Sequence, residues 1–245
     1  MALVRDAARK GSYGIDAPLV ALTFAAVSAT FLVAAGMAAT AGSATAWGFL
    51  IPGVVLGAQC VLCLYVSRRG KFAVWQELLD ELRLRGDERA VDLGCGRGAV
   101  LIAVARRVPQ GRVDGVDLWR SIDQSGNDIA ATTRNAVVEG VAERVELHTA
   151  DMTRLPFSDN TFDLVVSSLA IHNIPTAKRR AAAVAEAVRV LRPGGRIVIA
   201  DIFKTGEYLV TLKDSGAREI TARPLGWRMW WGSPIVATRA VTATK

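Results

Sequence analysis

Two uncharged apolar runs near the amino terminus constrain this chain most strongly. The first extends from Pro18 to Thr40 and the second from Trp47 to Val66, and neither contains a charged residue. An α-helix needs about 20 predominantly apolar residues to cross the hydrocarbon core of a bilayer. Membrane helices also tolerate Pro52 and the glycines of the second run. The two runs therefore predict a transmembrane helical hairpin over about residues 18–40 and 47–66.

Two other interpretations of these runs stay open. Basic residues precede the first run and small residues are abundant in it, as in a secretory signal peptide. The hydrophobic region of a signal peptide is about 7 to 15 residues long, however, whereas this run is longer and a second run follows at once. A helical hairpin buried in the core of a soluble protein is the other alternative. We favour the transmembrane hairpin.

The distribution of Lys and Arg predicts the orientation of the hairpin. Residues 41–46 between the runs carry no basic side chain, whereas both outer flanks do. The flanking cations are Arg5, Arg9, Lys10, Arg68, Arg69 and Lys71. Because basic flanks stay in the cytoplasm, both ends of the hairpin are expected there. The chain is then a multi-pass membrane protein with two spans: residues 1–70 form a membrane anchor, and residues 71–245 form a cytoplasmic catalytic domain.

Composition and charge narrow the choice of partners. The chain is 51% hydrophobic with a mean hydropathy of +0.27, and its net charge of +7 gives a pI of about 9.8. An anionic cytoplasmic leaflet attracts a basic protein as well as a nucleic acid does. Cys60 and Cys63 lie inside an apolar run without a second pair of ligands, and Cys95 stands alone. We therefore expect membrane lipid as a partner, with neither nucleic acid nor a metal.

Residues 71–245 alternate short apolar runs with helical stretches, which is typical of βα units around a mostly parallel sheet. The predicted strands are Ala90–Leu93, Arg112–Asp117, Arg144–His148, Phe162–Ser168, Arg196–Asp201, Arg218–Ala222 and Ile235–Val241. The predicted helices between them are Ala99–Val108, Asp128–Glu139, Ala177–Leu191 and Glu207–Ser215.

An amphipathic helix is predicted before the first strand. It begins near Lys71 and ends at Gly86, and Phe72, Trp75 and Leu79 share its apolar face. That face could lie on the lipid or pack on the sheet, and both interpretations stay open.

A glycine turn follows the first predicted strand. Gly94, Gly96 and Gly98 stand between that strand and a helix, where glycines allow a ligand to approach the backbone and helix N–H groups favour an anion. Asp117 ends the second strand about 20 residues later, as a ribose-binding carboxylate does. These features also satisfy the dinucleotide pattern, so a nicotinamide enzyme is an alternative at this point.

Four motifs in order resemble the class I S-adenosylmethionine-dependent methyltransferases. VDLGCGRG at residues 91–98 resembles the first motif of that family, and TADMTRLPF at 149–157 resembles the motif after its third strand. DNTFDLVVSS at 159–168 and VLRPGGRIVIAD at 190–201 are similar to its fourth strand and to the turn and strand that follow. The resemblance implies an α/β, Rossmann-like fold with a seven-stranded, mostly parallel sheet and helices on both faces.

The resemblance also implies site residues and a cofactor, S-adenosylmethionine. Gly94 and Gly96 would line its methionine moiety, and Asp92 would orient the loop or the amino group. Asp117 would bind the ribose hydroxyls. The remaining expected cofactor contacts are Leu118, Asp151 and Met152 around the adenine, and Ser167 at the end of the fourth strand.

The acceptor side of the site is less marked in the sequence. His172, just beyond the fourth strand, is the best candidate for a catalytic base, with packing as its alternative role, while His148 is expected to be structural. Asn173 and Asp201 are further candidate acceptor contacts. Arg120–Asp128 and the tryptophans of 227–231 are expected to shape access, and the tryptophans could instead form a membrane rim or pack on the hairpin.

The expected function is therefore methyl transfer to a small or lipid-like acceptor. No N-P-P-Y or D-P-P-Y sequence follows the fourth strand, which argues against the amino groups of nucleic-acid bases as acceptors. A membrane assembly partner that binds S-adenosylmethionine without catalysis is the alternative from another class. A nicotinamide-dependent oxidoreductase is less favoured.

Overall fold

The computed structural model describes residues 10–120 and 123–245, and it begins with two antiparallel helices. Helix α1 (Pro18–Thr40) has the predicted bounds, and α2 (Ala46–Tyr65) differs by one residue at each end. Both are long and apolar enough to cross a membrane, with mean hydropathies of 2.1 and 2.2. The helices are therefore confirmed, and their crossing of a membrane stays a prediction. Arg5 and Arg9 of the predicted basic flank lie outside the described residues.

Small residues form the contact between α1 and α2. The Ser28 hydroxyl donates to the carbonyl of Gly53 at 2.7 Å, and the Cys60 thiol donates to the carbonyl of Ala21 at 3.4 Å. A Cβ atom at Gly53 would lie 2.9 Å from a methyl of Leu32, so glycine is what permits this close approach. Small-residue contacts of this kind are common between membrane helices.

Helix α2 continues into the rest of the chain without a break. A π-helical turn, Val66–Gly70, joins it to α3 (Lys71–Glu81). On α3, Trp75 and Leu79 are buried, and the Trp75 indole donates to the Ser168 hydroxyl at 2.9 Å. The apolar face of α3 therefore packs on the sheet, and the alternative that it lies on lipid is wrong. The helix also ends before the predicted Gly86, because the chain turns into left-handed backbone at Arg83.

Seven strands form one sheet in the order β3-β2-β1-β4-β5-β7-β6. β7 runs antiparallel to β5 and β6, and the other neighbouring strands pair in parallel. Helices α3, α4 and α5 cover one face of the sheet, and α6 and α7 cover the other. The predicted α/β, Rossmann-like fold after a helical hairpin is confirmed. The strands are β1 Arg89–Leu93, β2 Arg112–Asp117, β3 Val145–Thr149, β4 Phe162–Ser168, β5 Leu191–Asp201, β6 Arg218–Pro224 and β7 Arg239–Thr244; the helices are α4 Ala99–Ala105, α5 Ile129–Val138, α6 Ala177–Val190 and α7 Thr205–Asp214.

The last strand departs from its predicted bounds at both ends, and β5 begins five residues before its predicted start at Arg196. Strand β7 begins at Arg239 and not at Ile235. Pro234–Val236 forms a short 3-10 turn, in which the proline lacks the N–H that a strand would use, and Ile235 is 86% exposed. Pairing with β5 and β6 starts only after this turn.

Candidate active site

A cavity of about 640 Å³ lies at the carboxyl ends of the parallel strands. The glycine turn after β1 and the residues after β2, β4 and β5 line one part of it. In open α/β sheets ligands bind at this edge. Eight of the nine predicted site residues line the cavity: Asp92, Gly94, Gly96, Asp117, Leu118, Asp151, Met152 and His172.

The glycine turn is held by its neighbours and leaves little room for side chains. The N–H groups of Gly94 and Cys95 donate to the carbonyl of Val116 at 2.8 and 3.2 Å. Gly94 has a φ of 75°, and a Cβ atom there would lie 2.2 Å from that of Ala170. The turn therefore requires glycine at position 94 for both conformation and space.

Asp117 connects the second strand to this turn. One carboxylate oxygen accepts from the Gly96 N–H at 2.8 Å, and the other accepts from the Trp119 N–H at 2.6 Å. Leu118, the next residue, is 44% exposed and also lines the cavity. Asp117, which the sequence predicts to bind a ribose, therefore also fixes the shape of the glycine turn.

Asp92 is the most unusual polar group of the cavity. Its side chain is buried, and Oδ1 has no hydrogen-bond partner among the described residues. Burial raises the pKa of this carboxyl to about 8, and the nearby Asp117 charge adds to the effect. A buried carboxylate oxygen without a partner is costly and suits a cationic ligand group.

Asp151 and Met152 follow β3 and line the same cavity. One oxygen of Asp151 accepts from the backbone N–H and the hydroxyl of Thr153 at 2.9 and 2.8 Å. The other pairs with Arg179 at 2.6 Å. Asp151 is thus a turn residue as well as a cavity residue.

Ser167 is the predicted cofactor contact that the structure places elsewhere. Its side chain is fully buried, and its hydroxyl donates to the carbonyl of Leu93 at 2.8 Å. Side chains alternate between the faces of a strand, and Ser168, not Ser167, lines the cavity. The Ser167 hydroxyl therefore connects β4 to β1, and Ser168 is the serine that lines the cavity.

His172 lies in a short 3-10 turn after β4 and lines the cavity. Its Nδ1 lies 2.5 Å from one oxygen of Asp201, and its backbone N–H donates to the other at 3.0 Å. The Tyr208 hydroxyl donates to Asp201 at 3.0 Å. Asp201 is fully buried and does not line the cavity. Its expected role as an acceptor contact is therefore not supported, because its oxygens serve His172 and Tyr208.

His148 occupies a different part of the sheet. Its Nε2 lies 2.7 Å from Asp114 on β2, and its ring packs edge-on against Phe157. Glu146 lies near the same pair, so these three side chains could meet at one ion, but Asp114 also faces Arg89 at 3.6 Å. None of the three lines the cavity.

The other part of the cavity is apolar and is formed by the hairpin. Val20 and Phe24 of α1 and Cys63 of α2 line it, together with Trp231 and Val236. Trp231 therefore lines the cavity, whereas Trp227 stacks on Tyr65 at the end of α2 with ring centroids 5.3 Å apart. Packing on the hairpin is thus observed for Trp227, and a role of the tryptophans in access stays a prediction.

Residues before α1 also reach the site, which sequence reasoning missed. Asp16 pairs with the buried Lys71 at 2.5 Å and accepts from the Gln124 amide at 2.8 Å. The side-chain Oε1 of Gln124 accepts from the backbone N–H of Arg97 in the glycine turn at 2.9 Å. The spacing of Asp16, Lys71 and Gln124 in the sequence matches no motif. The hydrogen bonds among them are therefore visible only in the folded structure. Ser121 and Ile122 of the predicted access segment lie outside the described residues.

The comparison with known proteins assigns this arrangement. A model of a methyltransferase domain matches residues 91–199, from β1 to β5. Residues 91–199 of this chain therefore belong to a methyltransferase domain. The methyltransferase domain is 32% identical over 133 residues to a ubiquinone/menaquinone biosynthesis C-methyltransferase of Dinoroseobacter shibae, covering 54% of this chain and 50% of that protein. It is 28% identical over 131 residues to a sterol 4-C-methyltransferase of Caenorhabditis elegans, covering 54% and 36%. The chain thus spans half or less of the length of these two relatives.

Solved structures share the fold of the methyltransferase domain. Geranyl diphosphate C-methyltransferase of Streptomyces coelicolor, solved with S-adenosyl-L-homocysteine, has a TM-score of 0.56 at 20% identity, over 70% of this chain and 75% of that one. The [4+2]-cyclase SpnF has a TM-score of 0.57 at 20% identity, over 69% and 79%. At these identities the likeness shows the fold alone.

S-adenosylmethionine is the cofactor of this domain, and the groups that line the cavity match its parts. The partnerless oxygen of Asp92 suits the cofactor's amino group, and the backbone of the glycine turn is open to its methionine part. Asp117 offers a cavity carboxylate that would accept hydrogen bonds from the ribose hydroxyls, and Leu118 and Met152 offer apolar surface for the adenine. The residues present therefore fit the cofactor, which supplies an activated methyl group when bound.

Proposed function

We propose that this protein transfers a methyl group from S-adenosylmethionine to a small, lipid-like acceptor dissolved in a membrane. In this proposal α1 and α2 span that membrane, and the methyltransferase domain lies at its cytoplasmic surface. Asp92, Gly94, Gly96 and Asp117 hold the cofactor at one side of the cavity. The apolar side, formed by the hairpin, holds the acceptor.

One observation carries this proposal: a single cavity joins the glycine turn to the apolar hairpin. Asp92 and Gly94 line it together with Val20 and Phe24 of α1. An enzyme for a water-soluble acceptor has no need of apolar helices in the wall of its site. Methyl transfer depends largely on positioning, and this wall would position an apolar molecule next to the cofactor.

The exposed surface of the hairpin supports its place in a membrane. Large apolar side chains of both helices point outward, and Leu22 and Met37 are 63% and 69% exposed. Only 17% of the most apolar window of each helix is buried. A hairpin in the core of a soluble protein would bury these side chains, since each one left in water forgoes about 1.5–3 kcal/mol.

The names of the relatives support the class of acceptor. The similar proteins include methyltransferases named for ubiquinone and menaquinone biosynthesis and for a sterol. These names describe acceptors that are apolar or carry an apolar chain. The same class would suit the wall made by Phe24, Cys63 and Trp231.

Transfer of a labelled methyl group tests this function directly. The full chain in lipid vesicles would receive S-adenosylmethionine labelled in its methyl group, with a total lipid extract or a pool of water-soluble metabolites as acceptor. We expect label in the organic phase with the lipid extract. Label confined to the water-soluble pool would contradict the proposed acceptor class.

A pair of matched variants tests the apolar wall. Phe24→Arg places a charge in the cavity wall, whereas Phe31→Arg places the same charge on α1 at a position that does not line the cavity. We expect Phe24→Arg to lower transfer to lipid at least tenfold more than Phe31→Arg does, at similar protein recovered in the membrane. Equal losses would mean that the wall does not hold the acceptor.

A binding protein without catalysis predicts a different result. Such a protein would bind S-adenosyl-L-homocysteine and yet transfer no label to any acceptor. Calorimetry with S-adenosyl-L-homocysteine and with a nicotinamide dinucleotide also tests the oxidoreductase alternative. We expect the chain to bind the first ligand and not the dinucleotide.

A further inference from the structure

We propose that His172 and Asp201 form a catalytic base pair, which means that the acceptor loses a proton when it receives the methyl group. This inference rests on the proposed methyl transfer and deepens it. His172 is the catalytic residue that meets the acceptor. Asp201 is a positioning residue that acts through His172.

The buried carboxylate fixes the histidine ring. Asp201 is fully buried and accepts four hydrogen bonds, from the His172 ring, the backbone N–H groups of His172 and Ile202, and the Tyr208 hydroxyl. With four donors around it, this group acts as an acceptor only. The ring proton of His172 therefore resides on Nδ1, where it donates to Asp201.

The other ring nitrogen is then free to accept a proton. His172 lines the cavity, and its Nε2 has no hydrogen-bond partner within residues 10–120 and 123–245. In general acid–base catalysis a histidine is commonly held by a carboxylate at one nitrogen while the other faces the substrate. His172 has this arrangement at the edge of the sheet where the cofactor site also lies.

The reaction step balances with these groups. An electron pair on the acceptor atom forms the new bond to the methyl carbon, and the sulfur–methyl bond breaks with its electron pair returning to sulfur. The proton bound to the acceptor atom moves to Nε2 of His172. The positive charge of the sulfonium is thereby transferred to the imidazolium, which the Asp201 carboxylate stabilises.

This arrangement restricts the chemistry of the acceptor. A hydroxyl group, or a carbon made acidic by a neighbouring oxygen, must lose a proton on methylation and gains from a base. A tertiary amine or a thioether has no such proton. We therefore assign acceptors of the first kind to this cavity, on a molecule with an apolar body.

The chain contains its own control for the experiment. Its two histidines each pair with an aspartate, but through opposite ring nitrogens: His172 through Nδ1 and His148 through Nε2. Only His172 lines the cavity. Nitrogen NMR of the ¹⁵N-histidine-labelled chain should therefore show one ring with its proton on Nδ1 and one ring with its proton on Nε2. The signals that disappear in the His148→Gln variant belong to His148, which assigns the others to His172.

Kinetics of two matched variants test the catalytic role. Asp201→Asn should lower kcat about 100-fold or more, with a much smaller change in the KM of the acceptor and in the affinity for S-adenosyl-L-homocysteine. Asp114→Asn, which alters the pair at His148, should leave kcat within about twofold. His172→Ala should lose as much as Asp201→Asn, and added imidazole should restore part of the rate.

The possible results separate this inference from the proposed function. A kcat for Asp201→Asn and His172→Ala within about threefold of the wild type would overturn the base pair and leave methyl transfer intact. If the Asp201 variant does not fold, the kcat values of Tyr208→Phe and His172→Ala test the pair in its place. If the wild type transfers no methyl group, the proposed function fails, while NMR still decides on the pair, since a proton on Nε2 of His172 would overturn it.

Discussion

The hairpin and the methyltransferase domain use apolar residues in opposite ways. In α1 the buried residues are the small Ala21, Ser28 and Ala35, while large side chains such as Leu22 face outward. In β4 the large apolar side chains are the buried ones, namely Phe162, Leu164, Val165 and Val166. One region is thus small inside and large outside, and the other is the reverse.

This difference supports the proposal that the hairpin lies in lipid and the methyltransferase domain in water. In water, burial of large apolar side chains is the dominant favourable term, which the sheet domain satisfies. In lipid that term is absent between helices, and association depends on close packing of small residues. The Ser28–Gly53 contact of the hairpin is of this second kind.

Truncation of a phenylalanine in each region should give the largest contrast. Phe162→Ala, in the core of the domain, is expected to lower the free energy of unfolding by about 3–5 kcal/mol. Phe49→Ala, at a half-exposed position of α2 where the ring centroid lies 6.4 Å from that of Phe31, should cost less than about 1 kcal/mol in a detergent micelle. Urea unfolding followed by circular dichroism measures both, and equal costs would contradict the comparison.

Enlarging a glycine at the helix contact should give the next largest effect. Gly53→Leu must displace Leu32 or Phe31, and overpacking of this kind costs about 1–3 kcal/mol. Gly36→Leu is the matched control on α1, because nothing lies within 4 Å of a Cβ atom there. Thermal unfolding in the same detergent should show a lower Tm for the first variant only. A similar decrease in both would show that the hairpin is not closely packed at Gly53.

Loss of the carboxylate after β2 should weaken cofactor binding moderately. Asp117→Ala removes a cavity carboxylate and also its bond to the Gly96 N–H. We expect at least tenfold weaker binding of S-adenosyl-L-homocysteine, about 1.4 kcal/mol. Calorimetry measures it, with the exposed Asp214→Ala as a control. An unchanged Kd would remove Asp117 from the cofactor site.

The pH dependence of binding should show the smallest effect. Burial raises the pKa of Asp92 to about 8, so the empty site holds this carboxyl protonated at neutral pH. A cationic amino group lowers that pKa, and binding then releases a proton and strengthens as pH rises toward 8. We expect about an eightfold gain in affinity for S-adenosyl-L-homocysteine from pH 6.5 to 7.5, because the ionised share of Asp92 rises by that factor when its pKa is about 8. Asp92→Asn should remove this slope, and a slope that persists would assign it to another group.

Much of this contrast could be predicted from the sequence because its periodicities are strong. Uncharged runs gave α1 and α2 within one residue, and the alternation of strands and helices gave the sheet. The glycine turn and Asp117 were predicted because a backbone approach and a ribose each require particular residue types. Ser167 was misplaced by one residue, which in a strand is enough to turn a side chain to the other face.

The features that escaped prediction depend on contacts between distant segments. Asp16 and Gln124 meet only because the residues before α1 return to the glycine turn. The burial of Asp201 behind His172 depends on where β5 and α7 place it. Side chains joined by the fold across more than 25 residues leave no spacing in the sequence that would reveal them.

The side of the membrane on which each region lies tests the account most directly. Single cysteines would replace Ala44, at the tip of the hairpin, and Lys213, on the surface of the methyltransferase domain, with the wild-type chain reporting labelling of its own three cysteines. A membrane-impermeant maleimide applied to intact cells should label position 44, and it should reach position 213 only after the membrane is opened. Equal labelling of both positions in intact cells would contradict a hairpin that spans the membrane beside a cytoplasmic catalytic domain.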